Sequence, residues 1–210
     1  MRTITKSKEP KEWTEYRLTP NTDYQSIPEL RQSLLEEQGY ICAYCMRRIP
    51  HKDRNSKEDS RIDHILSREN HPDKKLDYQN MVICCPGAIS EDFHCDKSKG
   101  EKDVTFSLFN DSLVQTIKYH TKSGKIESSN PTWNTEINDI LNLNNEKLKV
   151  NRQEALNGII ESLNGKHWKS VDIRKKLIEW DSKNKKGMFK PYCGIIVWYL
   201  NKKLRLIDER

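Results

Sequence analysis

The first clear periodic pattern of apolar residues predicts a helix over Pro28–Gln38. Leu30, Leu34 and Leu35 fall on one face at helical spacing. Proline suits the first helical turn, and Gly39 can adopt the left-handed conformation that often ends a helix. We therefore expect this helix to bury its leucine face against the rest of the chain.

Helical periodicity also dominates the last third of the chain. From Asn144 onward asparagine is available as an N-cap, and apolar residues recur at helical spacing: Leu148, Ala155, Leu156, Ile159, Ile160 and Leu163. Two further helices are predicted, from about Val171 to Trp180 and from about Pro191 to Leu204. These patterns indicate a C-terminal helical extension.

Short apolar runs between polar segments predict strands in the middle of the chain. Arg61–Leu66 and Met81–Cys85 are two such runs, and Asp96–Lys102 is expected to begin a helix. The wholly polar His51–Ser60 predicts an exposed loop. Beyond these elements we expect two more strands and the turn that follows them: Val104–Phe109, Leu113–His120 and Lys122–Lys125.

Composition limits the size of the core that this α+β arrangement can bury. Of the 210 residues, 34% are hydrophobic and 32% are charged, so the core must be modest. Modest cores are often held together by a metal ion or by disulfides. The net charge of +6 is compatible with a polyanionic partner without specifying one.

The cysteines point to metal binding because the expected compartment is reducing. No apolar run is long enough to cross a bilayer, and the start of the chain lacks the apolar core of a secretory signal. We therefore expect a cytoplasmic protein without a membrane partner, and in that compartment cysteine clusters more often hold metal than form disulfides. Five of the six cysteines fall between positions 42 and 95.

The spacing of these cysteines predicts a structural zinc site. Cys42 and Cys45 form a CxxC knuckle, which lets two thiolates reach one tetrahedral ion. A redox pair would need a thioredoxin-like context that the chain lacks. The second pair is predicted to be Cys85 and Cys95, separated by a looped insertion. Four protein ligands leave no open position, so zinc here would be structural.

Three alternatives to this zinc site remain open in the sequence. Cys84 can replace Cys85, although neighbouring residues on a strand point to opposite faces and only one of them can ligate. His94 can replace Cys95. The cysteines can also be ordinary buried thiols.

Between and after the cysteine pairs lies an ordered set of polar residues. Asp63 and His64 follow the first pair, Asn80 precedes the strand that leads to Cys85, and Asp96 comes directly after Cys95. The order CxxC, DH, N, C, C-D-xx-KG, spread over Cys42–Gly100, resembles the motif of the HNH endonuclease family. Each fragment alone is weak, because a lone Asp-His pair or asparagine is usually a surface pair or a cap, but the ordered set is specific.

The resemblance implies a ββα-metal (HNH) core over residues 28–103 and assigns a role to each polar residue. His64 would be the general base, a role that suits a histidine with a pKa near neutrality. Asp63 would help hold a divalent metal, and Asn80 would steady the loop that carries the base. Asp63 and His64 are neighbours, and neighbouring side chains on a strand point to opposite faces. They can share one site only if the strand ends there, as it does in the family.

The chain departs from the family motif at two positions. The last motif residue, usually His or Asn, is Asp96, whose carboxylate is a suitable hard ligand for Mg²⁺ or Mn²⁺. The usual proline shortly after the histidine is missing, since Ser67 and Arg68 stand there. Both departures concern the metal shell rather than the class of enzyme.

A closer resemblance extends to the PtuB-like HNH proteins of Septu-type and retron-linked anti-phage systems. It rests on three segments and on Asn151-Arg152, which follows the last of them: Leu34–Cys45, Asp77–Val82 and Leu141–Leu148. It implies a nuclease subunit beside a PtuA-like ATPase, with a retron reverse transcriptase and its DNA–RNA product in some systems.

The sequence therefore predicts three parts and one leading function. Residues 1–27 form a partly ordered arm anchored by Trp13 and Tyr16, residues 28–103 the nuclease core, and residues 104–210 a mixed strand and then helical region. The expected function is hydrolysis of phosphodiester bonds in DNA or RNA, including tRNA. The alternative is a non-catalytic zinc module that binds nucleic acid or a partner protein, which would have no use for Asp63, His64 and Asp96 together.

Overall fold

Short helices and two-stranded antiparallel sheets alternate along the chain, as the α+β prediction requires. The computed structural model describes residues 1–49, 60–89, 92–165 and 167–209. The predicted loop His51–Ser60 lies outside these residues except for Ser60. Within the described parts of the chain, no helix is both long and apolar enough to cross a membrane.

The N-terminal segment packs on the rest of the fold through Trp13, one of its two predicted anchors. It contains helix α1 (Lys11–Arg17) and buries Met1 and Trp13 in the main core. Ile4 donates a backbone hydrogen bond to Leu108, 2.8 Å away, and ties the segment to the middle of the chain. The apolar area of a buried tryptophan is large enough to hold a polar segment in place.

The predicted first long helix is confirmed and packs on the central strands. Helix α2 (Pro28–Glu37) begins with Pro28, and Gly39 follows its end with a φ of +60°. Its leucine face is buried, and the helix contacts strand β2 (Met81–Cys84).

Strand β2 pairs antiparallel with β1 (Arg61–His64), and a short helix follows. Asp63 lies opposite Val82, and His64 opposite Met81. A small hairpin, β3 (Ala88–Ile89) and β4 (Asp92–Phe93), leads to helix α3 (Asp96–Lys99). The helix is shorter than the predicted Asp96–Lys102 because Gly100 has a positive φ of +56°.

The region after Gly100 differs from its prediction. Val104–Phe109 forms no strand, although its alternate side chains are buried. Leu113–His120 begins as helix α4 (Ser112–Thr116) and becomes strand β5 (Ile117–Tyr119) only in its second half. Asn110 explains the helical start, since its side-chain oxygen accepts a hydrogen bond from the Ser112 amide at 3.0 Å. The predicted turn then leads into strand β6 (Ile126–Ser128), which pairs with β5.

The C-terminal helices are confirmed and share the main core with the N-terminal elements. After the short helix α5 (Pro131–Thr135) and a π-helical turn come α6 (Glu146–Asn164), α7 (Ser170–Asp181) and α8 (Cys193–Asp208). Asn145 caps α6 by accepting from the Lys147 amide at 3.0 Å. One cluster of buried apolar side chains extends from Met1 to Leu204, so the extension packs on the rest of the fold.

Candidate metal centre and adjoining cleft

Four cysteine thiols meet in the interior where the knuckle, the end of β2 and the start of α3 converge. The knuckle is closed by backbone hydrogen bonds between Cys42 and Arg47 (2.9 Å) and from Met46 to Cys42 (3.0 Å). The four sulfur atoms lie within 4.8 Å of one another, and all four residues are buried: Cys42, Cys45, Cys85 and Cys95.

The spacing of these sulfur atoms fits a tetrahedral zinc ion. With Zn–S bonds of about 2.3 Å, the corners of a tetrahedron lie about 3.8 Å apart. The Sγ–Sγ distances are 3.8 Å for Cys42–Cys95, 3.7 Å for Cys45–Cys85 and 4.0 Å for Cys85–Cys95. No described cysteine forms a disulfide. The cluster can therefore hold a metal ion such as zinc, as the sequence predicted.

The geometry separates the predicted ligands from the two alternatives. Cys84 is buried and within hydrogen-bond reach of Cys42, but it does not belong to the four-sulfur group. His94 lies against the cluster, with its Nδ1 3.1 Å from the sulfur of Cys95. Its buried Nε2 has no hydrogen-bond partner among the described residues.

Burial opposes ionisation of the Cys42 thiol, yet hydrogen bonds with the surrounding thiols lower the pKa of Cys42 well below the ordinary value.

His64 closes strand β1 and points into a cleft beside the cysteine cluster. Its Nε2 lies 2.9 Å from the carbonyl oxygen of Lys75. A carbonyl can only accept, so Nε2 carries the hydrogen and Nδ1 is left as the proton acceptor. Burial lowers the pKa of His64 to about 4, and the nearby positive charge of Arg68 acts in the same direction. The imidazole is therefore neutral at physiological pH, the state that a general base requires.

Asn80 fixes the loop that carries the hydrogen-bond partner of His64. Its side chain donates to the carbonyls of Leu66 (2.9 Å) and Lys74 (3.2 Å) and accepts from the Leu66 amide (2.9 Å). The residue is 7% exposed, so these bonds are protected from water. Asn80 thus joins the two ends of the loop around Lys75.

Asp63 is buried among a cation, a hydroxyl and a second carboxylate. Its Oδ1 accepts from Lys99 Nζ at 3.1 Å and its Oδ2 from the Tyr44 hydroxyl at 2.5 Å. Lys99 also donates to the His64 carbonyl at 2.7 Å. Burial raises the pKa of Asp63 to about 7; Lys99 opposes this shift and Asp96 adds to it.

Asp96 stands at the first turn of α3, directly after the zinc-ligand candidate Cys95. Its carboxylate is within hydrogen-bonding reach of Asp63 and forms an ion pair with Arg61. The residue at the N-cap is Cys95, so Asp96 is not the cap of this helix. Two carboxylates this close repel each other unless a proton or a cation lies between them.

His64, Asp63 and Asp96 line one cleft of about 440 Å³, whose remaining charged lining residues are of both signs. Arg61, Arg68 and Lys75 also line the cleft. The predicted site residues are therefore brought together, although two of them are neighbours on a strand. Two further histidines pair with carboxylates that do not line the cleft, His71 with Asp103 and His120 with Glu127.

Three side chains that contact Asp63 or His64 were not predicted from the sequence to do so. Lys99 was part of the motif but had no assigned role, although it is 1% exposed and bound to Asp63. Tyr44 lies inside the CxxC knuckle, and Tyr24 packs edge-on against His64 at a centroid distance of 4.6 Å. No local pattern marks Tyr24, which belongs to the segment expected to be an arm.

Comparison with known proteins adds no relative to this description. No protein-family model and no curated protein matches the chain.

Proposed function

We propose that this protein is a metal-dependent endonuclease of the HNH type that hydrolyses phosphodiester bonds of DNA or RNA, tRNA included. The observation that carries the proposal is the meeting of a neutral histidine and two adjacent carboxylates in one polar cleft. A zinc module that only binds a partner has no need of this arrangement. The order of the motif residues along the chain supports the same assignment.

His64 is proposed to take a proton from the attacking water at Nδ1. The Lys75 carbonyl keeps the hydrogen on Nε2, and Asn80 keeps that carbonyl in place. Orientation of the base by a hydrogen bond on its far nitrogen is a common requirement of histidine catalysis. Asn80 therefore acts through His64 as a positioning residue.

Asp63 and Asp96 are proposed to hold Mg²⁺ or Mn²⁺. Carboxylate oxygens are ligands that these ions prefer, and Mg²⁺ typically binds one or two carboxylates, waters and substrate phosphate. Such an ion supplies positive charge where negative charge develops on the departing oxygen. Lys99 and Arg61 would remain beside the two carboxylates and orient them.

The four-cysteine centre is proposed to have a structural role. It joins the knuckle to the residue before Asp96, so an ion held there fixes the start of α3. The ββα-metal core would then consist of β1, β2 and α3, with the zinc site beside it.

The resemblance to PtuB-like proteins supports an anti-phage complex as the setting of this activity. We propose that the chain is the nuclease subunit beside a PtuA-like ATPase, with a retron reverse transcriptase and its DNA–RNA product in some systems. This part of the proposal rests on the sequence resemblance in Leu34–Cys45, Asp77–Val82 and Leu141–Leu148.

The test is cleavage of labelled plasmid DNA and total tRNA with Mg²⁺ or Mn²⁺, with and without the ATPase subunit. His64→Ala should lower turnover about 10²–10⁴-fold, the usual contribution of a general base. Its zinc content should not change. His71→Ala is the matched control, because His71 pairs with Asp103 and should leave cleavage unaffected. Cleavage by His64→Ala at the wild-type rate would refute the assignment, and no cleavage by the wild type in any mixture would favour the binding module.

A further inference from the structure

Arg68 and Tyr24 form a stack at the cleft that the sequence motif does not include. The guanidinium carbon of Arg68 lies 4.7 Å from the centroid of the Tyr24 ring. The same ring meets the imidazole of His64 edge-on, at 4.6 Å and an interplanar angle of 84°. Tyr24 therefore lies between the proposed base and an exposed cation.

The charge of Arg68 remains available for a ligand, unlike that of the other cations lining the cleft. Arg61 is paired with Asp96, and Lys75 with Asp23 at 2.8 Å. Within the described parts of the chain, Arg68 is exposed and forms no ion pair. A guanidinium that packs on a ring can still form two parallel hydrogen bonds to a phosphate.

The position of Tyr24 is fixed by several contacts of the N-terminal segment. Its amide donates to the Asp23 carboxylate at 2.8 Å, and the Tyr16 hydroxyl donates to the Asp23 carbonyl at 2.9 Å. Trp13 meets the Tyr24 ring edge-on at 6.2 Å. The stack is thus attached to a buried tryptophan rather than to a free surface loop.

We propose that Arg68, held over Tyr24, is a phosphate-binding subsite that places a backbone phosphate of the nucleic acid beside His64. The inference rests on the proposed nuclease function, because that function supplies the nucleic acid. Tyr24 is a positioning residue that holds Arg68 on one side and the imidazole on the other. The subsite recognises phosphate alone, so it serves DNA and RNA alike.

Binding without cleavage tests the subsite separately from the nuclease activity. Fluorescence anisotropy of labelled DNA and RNA oligonucleotides, without added Mg²⁺ or Mn²⁺, without chelator and over a range of salt concentrations, gives the affinity and the number of phosphate contacts. Arg68→Ala should weaken binding about tenfold and lower the salt slope by about one, whereas Arg68→Lys should keep part of both. Arg174→Ala, an exposed arginine outside the cleft, is the control and should leave both unchanged.

Tyr24 variants test the positioning role. Tyr24→Phe keeps the ring and should retain binding and turnover, whereas Tyr24→Leu should lose most of the Arg68 contribution to binding and lower kcat as well as affinity. Thermal melting of each variant identifies any that does not fold, and Tyr24→Phe remains informative if Tyr24→Leu does not.

Wild-type affinity and salt slope in Arg68→Ala would overturn the subsite, even if the protein cleaves. Absence of binding by the wild-type protein to either oligonucleotide would overturn it too. Normal binding with no cleavage under any condition would instead contradict the proposed nuclease and leave the subsite in place.

Discussion

Adjacent cysteines at the end of β2 offer a sharp test of the metal centre. Cys84 and Cys85 are both fully buried, and only Cys85 belongs to the four-sulfur group. Replacing each with alanine removes the same sulfur atom from neighbouring positions. The two variants therefore differ in whether a metal ligand is lost.

The expected effects differ widely in size. For Cys84→Ala, loss of one buried atom and the small cavity left behind should cost about 1 kcal/mol of unfolding free energy. For Cys85→Ala, a three-ligand site should release its ion. Structural zinc binds with about 10–16 kcal/mol in small domains, comparable with a total stability of about 5–15 kcal/mol. We therefore expect Cys85→Ala to lose the cooperative unfolding transition or shift it far down.

The measurements are zinc per chain after dialysis against a weak chelator and urea unfolding followed by circular dichroism. The wild type and Cys84→Ala should each retain about one zinc per chain, because a closed four-cysteine site holds one ion. Cys85→Ala should retain almost none. Removal of zinc from the wild type with a strong chelator should reproduce the unfolding behaviour of Cys85→Ala.

Three results would refute this interpretation. Equal zinc loss in the two variants would mean that Cys84 is also a ligand. Full zinc retention in Cys85→Ala would exclude Cys85, with His94 as the nearest replacement. Zinc-free wild-type protein with an unchanged unfolding curve would show that the four cysteines are ordinary buried thiols.

Three further predictions concern the cleft. Because burial lowers the pKa of His64 to about 4, turnover at saturating metal should stay level as the pH falls to about 5.5. A histidine with the ordinary pKa near 6.5 would be only about one tenth neutral at that pH, so a fall in turnover around pH 6.5 would contradict this prediction. Lys99→Met leaves Asp63 without its buried ion-pair partner and should cost about 3–5 kcal/mol of unfolding free energy in urea at pH 8. The loss should be smaller at pH 5, because the raised pKa of Asp63 keeps its carboxyl group protonated there, and equal losses at both pH values would argue against the pair. Asp96→Ala should raise the Mg²⁺ concentration needed for half-maximal cleavage and should recover much of its rate at high Mg²⁺, and Asp96→Asn should be the milder change. A defect that no metal concentration relieves would show that Asp96 is not a ligand of this metal.

The sequence determined the elements whose cause is local. Helix α2 follows from its leucine stripe between Pro28 and Gly39, and α6 from its apolar periodicity after Asn145. Strands β1 and β2 appear where the apolar runs predicted them, although both end earlier. The CxxC spacing also predicted Cys42 and Cys45 as one pair of metal ligands, whereas alternatives remained for the second pair, Cys85 and Cys95.

The tertiary structure decided the contacts between residues far apart in the sequence. One failed prediction has a local cause instead: in residues 113–116 the Ser112 amide donates to the Asn110 side chain, which favours a helical turn where β-branched and apolar residues suggested a strand. Trp13 was predicted to anchor the polar segment 1–27, and the folded chain buries Met1 and Ile4 of that segment as well. The overall polarity of a segment does not tell which of its apolar side chains will be buried against a complementary surface.

The candidate site shows the same division. The order of Asp63, His64, Asn80 and Asp96 was visible in the sequence, but the pairing of Lys99 with Asp63 and the packing of Tyr24 on His64 were not. The choice between Cys84 and Cys85 was left open by the chain, because alternation tells only that they point to opposite faces. Which face meets Cys42, Cys45 and Cys95 depends on how β2 packs, and only the folded chain fixes that.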